Sequence, residues 1–417
     1  MPRFLYSALL YLLLPLLAGK LALRCIKQSA YRPQWRERFG IYRLPRQSGV
    51  IWLHCVSVGE TRAAAPLIHA LLEQYPERSL LLTHSSPSGR ATSEALFGNR
   101  VQRAYLPYDL PFMVRRFLTH FQPDLGVLLE TEIWFNLLAA CQQRQIPVVL
   151  ANARLSEKSA RGYAKLGSLA QSGLQSLHLI AAQTPNDAKR FQGLGARHVE
   201  TLGNLKFDAL PPSGTEAAGN QLRRLFGEQR PVFLAASTRE GEEALILDAL
   251  AATLIADLLT VIVPRHPQRF AQVEALLKKR GLVYQKRSNL KQAIRPGTQI
   301  VLGDSMGEMM AYCTSADVCF IGGSLLPFGG QNLIEAMRLG KPVLLGPHTY
   351  NFAEVAAMAV AQCAAWRVDN SQEIAHALQV LMAAPDKRLA MGAKGLALCD
   401  VGQGASAKTL VHLAKLL

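Results

Sequence analysis

What most restricts the fold of this 417-residue chain is a recurring pair: a short, near-continuous apolar run followed by a segment of helical spacing. One series of runs covers 50–56, 79–83, 101–105, 125–129, 147–150, 177–182 and 198–202; a second covers 232–236, 259–263, 299–302, 318–321 and 342–345. Runs without inward and outward alternation mean strands buried on both faces, and a parallel sheet clad in helices supplies that environment. Between the two series, Asp208 to Gln221 is rich in Pro, Gly and Ser and reads as a linker. The chain is too long for one ordinary core, and its 49% apolar residues are enough for two. The expectation is α/β: two Rossmann-like domains, 25–210 and 211–417, after a hydrophobic segment at 1–24, with a central cleft as the favoured small-molecule site. The C-terminal stretch has a helical pattern and can pack on either domain.

The segment Phe4 to Ala22, FLYSALLYLLLPLLAGKLA, has 19 residues. As a helix it is roughly 28 Å long, against roughly 30 Å for a bilayer core. It can just span, while Pro15 and Lys20 leave an interfacial helix as the alternative. With no small-x-small site after it and only Arg3 before it, a cleaved signal peptide is disfavoured. From Lys20 to Arg46 there are eight Lys or Arg residues and one acid, Glu37, which orients the body of the protein to the cytoplasm. Each such cation is worth about 1 kcal/mol near an anionic leaflet. The net charge of +16 calls for an anionic partner, and this clustering beside the hydrophobic segment points to membrane lipid. Nucleic acid is a poor fit, because no module interleaves aromatic and basic residues.

Seven scattered cysteines without a Cys-x-x-Cys pair read as reduced, mostly buried thiols. Ten histidines without ligand spacing give no reason to expect a structural metal.

Candidate chemistry gathers where strands end. VIWLHCVSVGE leaves Glu60 at the exit of the first run, where open α/β sheets collect ligands; it is either a first-turn acid favoured by the helix dipole or a general base. DLGVLLETEIW puts Glu130, and then Glu132, at the exit of another run, with the same two readings. THSSPSGR offers Thr83, Ser85, Ser86, Ser88, Gly89 and Arg90 at a strand-to-helix turn suited to a phosphate, although the same residues serve as helix caps. GNLKFD sets Lys206 after a strand, as a cation for a departing phosphate or a plain surface lysine.

In the second half, VIVPRHPQRF ends a strand with Pro264, Arg265, His266 and Pro267, and GDSMGEM forms a loop through Met306, Gly307 and Glu308. FIGGSLLPFGGQNLIEAMRLGKPVLLGP follows, with paired glycines for close backbone approach and Asn332, Leu333, Ile334 and Glu335 at a helix start. A carboxylate such as Glu335 can accept from two ribose hydroxyls. Glycine loop, Asn-x-x-Glu and Gly-Lys-Pro before a strand together indicate a nucleotide-sugar site; neither a dinucleotide fingerprint nor a Walker A sequence is present.

With these motifs in order, the chain resembles the 3-deoxy-D-manno-octulosonate (Kdo) transferases of lipid A biosynthesis, membrane-anchored glycosyltransferases of the two-domain GT-B fold. The resemblance runs through the N-terminal segment, WLHCVSVGE, ETEIW, GNLKFD, VPRHPQRF, GDSMGEM and GGSLLPFGGQNLIEA. It implies transfer of Kdo from CMP-Kdo to a sugar hydroxyl of the tetra-acylated lipid A precursor at the inner (cytoplasmic) membrane, with no cofactor or metal. Glu60 would then be the base, and Glu130 and Lys206 would stabilise the transition state. Cytidine nucleotide would lie against Pro264, Arg265, Met306 to Glu308 and Asn332 to Glu335, while Ser85, Ser86, Ser88, Arg90 and the Arg32 to Arg46 cluster would meet the acceptor's phosphates and the anionic leaflet. One departure is Phe135, where the family favours proline at a helix start. The alternatives are another GT-B nucleotide-sugar transferase acting on a membrane lipid, or a non-catalytic membrane-tethered binding module.

Overall fold

Seven strands, β1 (Val50–His54), β2 (Leu80–His84), β3 (Gln102–Tyr105), β4 (Pro123–Leu129), β5 (Val148–Ala153), β6 (Leu179–Ala182) and β7 (Val199–Thr201), form one parallel sheet in the order β3-β2-β1-β4-β5-β6-β7. The computed structural model describes every residue except Gln47. Residues Met1–Ala209 and Gly402–Leu417 form the first unit, and Leu210–Val401 the second. Every residue of β1, β2 and β5 is buried, as unbroken apolar runs require. Alternate side chains still serve different layers: Ile51 and Leu53 pack with Leu67, Ile68 and Leu71, while Val50 and Trp52 pack with Phe117, Leu118 and Phe121. Each such side chain contributes about 1.5–3 kcal/mol by leaving water. Opposite Trp52 the chain has Gly126, where a Cβ would lie 3.0 Å from the indole ring.

The second sheet comprises β8 (Val232–Thr238), β9 (Leu259–Pro264), β10 (Tyr284–Lys286), β11 (Ile300–Leu302), β12 (Val318–Ile321), β13 (Val343–Leu345) and β14 (Ala365–Arg367), ordered β10-β11-β9-β8-β12-β13-β14 and again parallel. In each sheet the order reverses beside the first strand, between β1 and β4 and between β8 and β12. Those reversals open the crevices in which such sheets bind ligands.

Three features differ from the sequence expectation. The linker is shorter, because a helix, Thr215–Phe226, already begins inside the Asp208 to Gln221 stretch. The edge strands β10 and β14 lack a long apolar run, since an edge position relieves them of double-sided burial. The N-terminal helix, Arg3–Lys27, is longer than the segment read as the anchor.

That helix has one face turned to its unit and one left bare. Tyr6, Ser7, Leu10, Leu14, Leu17 and Leu21 are at least partly covered, whereas Phe4, Leu5, Leu9, Leu12, Leu16, Leu23 and Ile26 are exposed. The Tyr6 hydroxyl donates to Asp109 Oδ2 at 2.9 Å, Ser7 Oγ donates to Asn136 Oδ1 at 3.0 Å, and the Tyr6 ring meets Phe135 edge-on. Among the described residues it is the one helix long and apolar enough to cross a membrane. The C-terminal helix, Ala405–Ala414, packs into the first unit through Ala405 and Leu413. Asp208 holds its start by accepting from the backbone N–H groups of Gly404 and Ser406.

Candidate active site

Ser57 and Glu60 form a capping box at the exit of β1. Ser57 is the N-cap of the helix Val58–Ala63 and accepts from Glu60 N at 3.3 Å. The Glu60 carboxylate turns back, taking Val56 N–H on Oε2 at 2.7 Å and Ser57 Oγ–H on Oε1 at 2.9 Å. The capping geometry and an unusual acidity coexist in this residue. Burial, and then the neighbouring charge of Glu130, push its carboxyl up to about 7 against the pull of those two hydrogen bonds. A carboxyl titrating there is half ionised at neutral pH, as suits a general base.

Glu130 leaves β4, the strand that pairs with β1 across the order reversal, so both carboxyls stand at one crevice. Its state is the opposite of Glu60's. Burial acts to raise it, but Lys206 Nζ, 2.8 Å from Oε1, outweighs that and holds Glu130 below the usual carboxylate range, with help from Arg154. Glu132 is raised by burial and then by Glu130, and its Oε2 accepts from Trp134 Nε1 at 2.8 Å. His54, fully buried at the end of β1, is driven down to about 3 by burial and is therefore neutral; its Nε2 lies 4.0 Å from Glu132.

The serine turn after β2 is bound into this crevice. Ser86 caps the helix Pro87–Phe97, accepting from Gly89 N and donating to Val56 O at 3.0 Å. Ser88 donates to Ser86, and the Ser85 carbonyl accepts from Arg38 Nη2. Arg90 is 2.9 Å from Glu37 Oε2, so its guanidinium is committed to a buried acid. Arg38, counted in the basic cluster from sequence, is instead buried against the Tyr105 ring, because its stem and plane fill the space beside β3.

The second unit carries the motifs read as a nucleotide site. Pro264 ends β9, and Arg265 follows with Nε 3.0 Å from Gln331 Oε1. Burial, then Arg239, Arg265 and Arg269, lower the His266 pKa, keeping that ring neutral among cations. Met306 is exposed, Gly307 has φ +86°, and Glu308 pairs with Arg287 at 2.7 Å. Before the short helix Ile334–Arg338, Asn332 Oδ1 accepts from Ile334 N at 3.2 Å and its Nδ2 donates to Glu335 Oε1 at 3.1 Å. Leu333 and Ile334 bury their side chains, leaving only backbone for a ligand. Gly322 is required by close approach: a Cβ there would fall 2.5 Å from Ser237 O.

Three groups escaped the sequence reading. Asn152 lies in β5 with φ +53° at a break in register, and Oδ1 accepts from Leu205 N at 3.0 Å, hooking the turn that presents Lys206. Arg154 follows it, its carbonyl accepting from Thr131 Oγ1 at 2.6 Å. In the second unit, buried Glu242 gathers the N–H groups of Arg239, Gly323 and Leu325 at 2.8, 2.6 and 3.0 Å, shaping the glycine turn after β12. Apart from the polar ending of the VVLANAR run, the sequence offers no signal for these, because each acts on a partner set by strand order. Glu130, Asn152 and Ser237 are all non-glycine residues with positive φ at strand ends, a conformation that costs on the order of 1–3 kcal/mol and concentrates at working sites.

Comparison with known proteins identifies the family. Residues 33–209 match the family described as 3-Deoxy-D-manno-octulosonic-acid transferase (kdotransferase). A 3-deoxy-D-manno-octulosonic acid transferase of Bordetella pertussis is 41% identical over 86% of either chain, and one of Haemophilus influenzae is 37% identical over 98% of this chain and 97% of that one. In fold alone the chain is similar to UDP-GlcNAc 2-epimerase from Neisseria meningitidis (TM-score 0.62, 16% identity, 88% of this chain and 100% of that one). It is likewise similar to a glycosyltransferase from Rickettsia africae (TM-score 0.61, 12% identity, 88% and 98%). With paired Rossmann-like sheets and relatives of this identity along nearly its whole length, the chain belongs to the 3-deoxy-D-manno-octulosonic acid (Kdo) transferases, glycosyltransferases of the GT-B fold.

Proposed function

We propose that this enzyme transfers Kdo from CMP-Kdo to a hydroxyl of the lipid A precursor, the tetra-acyl disaccharide bisphosphate, in lipopolysaccharide core biosynthesis, with Glu60 as the base. The observation that carries this reading is the opposite tuning of two carboxyls at the exits of adjacent strands: Glu60 raised to about 7, Glu130 held ionised by Lys206. The acceptor oxygen attacks the anomeric carbon of Kdo and gives its proton to Glu60. The anomeric C–O bond to CMP breaks, and its electron pair leaves on the CMP phosphate. Attack in line inverts the anomeric centre. Lys206 and Glu130 stabilise developing charge on the first unit, and the nucleotide is held on the second by Pro264, Arg265, the Met306 to Glu308 turn and Asn332 to Glu335. These cations serve the departing phosphate, so turnover is expected to survive EDTA.

The N-terminal helix is read as a cytoplasmic-side attachment to the inner membrane, lying along the surface of the lipid. Support comes from its polar bonds to Asp109 and Asn136, which occupy one face, and from the bare leucines on the other. Deleting residues 1–22 is expected to raise the acceptor KM more than it changes CMP binding.

The test is incubation of the purified full chain with CMP-Kdo and lipid A precursor, with added Kdo units counted by mass spectrometry. UDP-sugars are expected to be inert. Transfer from a UDP-sugar but not from CMP-Kdo would overturn the reading.

A further inference from the structure

The N-terminal helix flanks a cavity of about 610 Å³ that the transfer reaction does not use. One wall is the helix itself, through Arg3, Ser7 and Tyr11, residues four apart on a single flank. The facing wall brings Arg115, Gln143 and Arg144 from the helix Pro111–Phe121 and the end of the helix Phe135–Gln143. Three guanidinium-bearing side chains line it and no acidic one does. Helix Phe135–Gln143 starts beside Glu130 and runs back toward the start of β5, so Gln143 and Arg144 stand at the edge of the sheet opposite the carboxyls. Asn136, in the first turn of that helix, also lines the cavity, but none of Glu60, Glu130, Glu132 and Lys206 does, so it is not the carboxylate crevice.

We propose that this cavity binds the phosphate headgroup of an anionic membrane phospholipid, distinct from the acceptor, whose acyl chains lie along the bare Leu5, Leu9, Leu12 and Leu16 face. The inference rests on the interfacial reading of the N-terminal helix. Charge and position both select this occupant. Guanidinium forks match phosphate oxygens, Gln143 can donate to a further oxygen, and the cavity opens on the flank between the covered and bare faces of the helix. A headgroup seated there has its chains directed along apolar surface, whereas free phosphate gains nothing from that surface.

Native mass spectrometry of the detergent-purified full chain tests this with dihexanoyl-phosphatidylglycerol, dihexanoyl-phosphatidylcholine and inorganic phosphate. One equivalent of phosphatidylglycerol is expected to bind, at least tenfold tighter than either other probe, and Arg115→Gln/Arg144→Gln is expected to weaken it at least tenfold. The charge-matched Lys279→Gln/Lys387→Gln variant, changed on the second unit, is expected to bind as the unaltered chain does. Undiminished binding by Arg115→Gln/Arg144→Gln, or equal binding of inorganic phosphate, would overturn the headgroup site. Sedimentation with phosphatidylcholine vesicles tests the underlying reading separately: Leu12→Asp/Leu16→Asp must lose vesicle binding, and its retention would refute the interfacial helix whatever the headgroup result.

Discussion

Lys206 Nζ sits 2.8 Å from Glu130 Oε1, and this ion pair divides two carboxyls at the exits of neighbouring strands into an anion and a proton acceptor. Without the lysine, burial and mutual repulsion would force both acids toward the neutral form. The Asn152 side chain, by gripping the backbone at Leu205, fixes where that lysine stands.

The pH profile follows from this division. A base titrating near 7 gives a kcat/KM that falls about tenfold per pH unit below 7 and levels above it. Because the Glu130 charge is the second cause of the elevation, Glu130→Gln should move that acidic limb to lower pH. A profile that keeps its limb in place would break the electrostatic link between the two residues.

Glu60→Gln should lower turnover at least a hundredfold while CMP binding persists. It should also stabilise the fold at alkaline pH. The folded carboxyl titrates near 7, above an unfolded value of roughly 4.3, so the native state holds the proton more tightly. Wild-type stability therefore declines as pH rises from about 4 to about 7 and stays lowered above it. Glutamine can still accept from Val56 N–H and donate to Ser57 Oγ, yet carries no charge. The expected gain is about 1–3 kcal/mol at pH 8 and little at pH 4.5, read as a Tm difference by calorimetry.

A double-mutant cycle on Glu130→Gln and Lys206→Met should give a coupling of about 1–3 kcal/mol in urea unfolding. Lys206→Met alone strands a mostly buried carboxylate, so it should cost more than the double change. Additive costs would mean that the pair contributes position only.

Glu242→Ala should weaken CMP binding without touching the carboxyl chemistry of the first unit. It leaves the buried N–H groups of Gly323 and Leu325 without their acceptor, a loss of about 1–3 kcal/mol for each such group. Titration calorimetry with CMP and thermal unfolding would read the two effects; unchanged CMP affinity would separate Glu242 from the nucleotide loop.

Much of the fold was legible because doubly buried strands must be apolar throughout: β12 spans the same residues, Val318–Ile321, as its run, and β1 begins with its run at Val50. The edge strands β10 and β14 were not, since they need only one neighbour and little burial. The helix inside the expected linker was also missed, because Pro212 and Gly214 precede it and Thr215, Gly219 and Asn220 disguise the helix formers Glu216, Ala217, Ala218 and Gln221 among them. At the site, Glu60 could be read as a cap or a base because local sequence encodes the capping box alone. The shifted acidity comes from burial in the folded crevice and then from Glu130, 70 residues away.

The sequence by itself determined two parallel α/β halves, an apolar N-terminal helix and a carboxylate at the exit of the first strand, all consequences of local spacing and burial. Tertiary structure alone decided that β4 lies beside β1, that Lys206 neutralises Glu130 rather than meeting solvent, that Arg90 answers Glu37, and that Asn152 and Glu242 brace the loops. Periodicity is a property of neighbours along the chain. Charge states and hydrogen-bond partners depend on distances across it, which strand order sets.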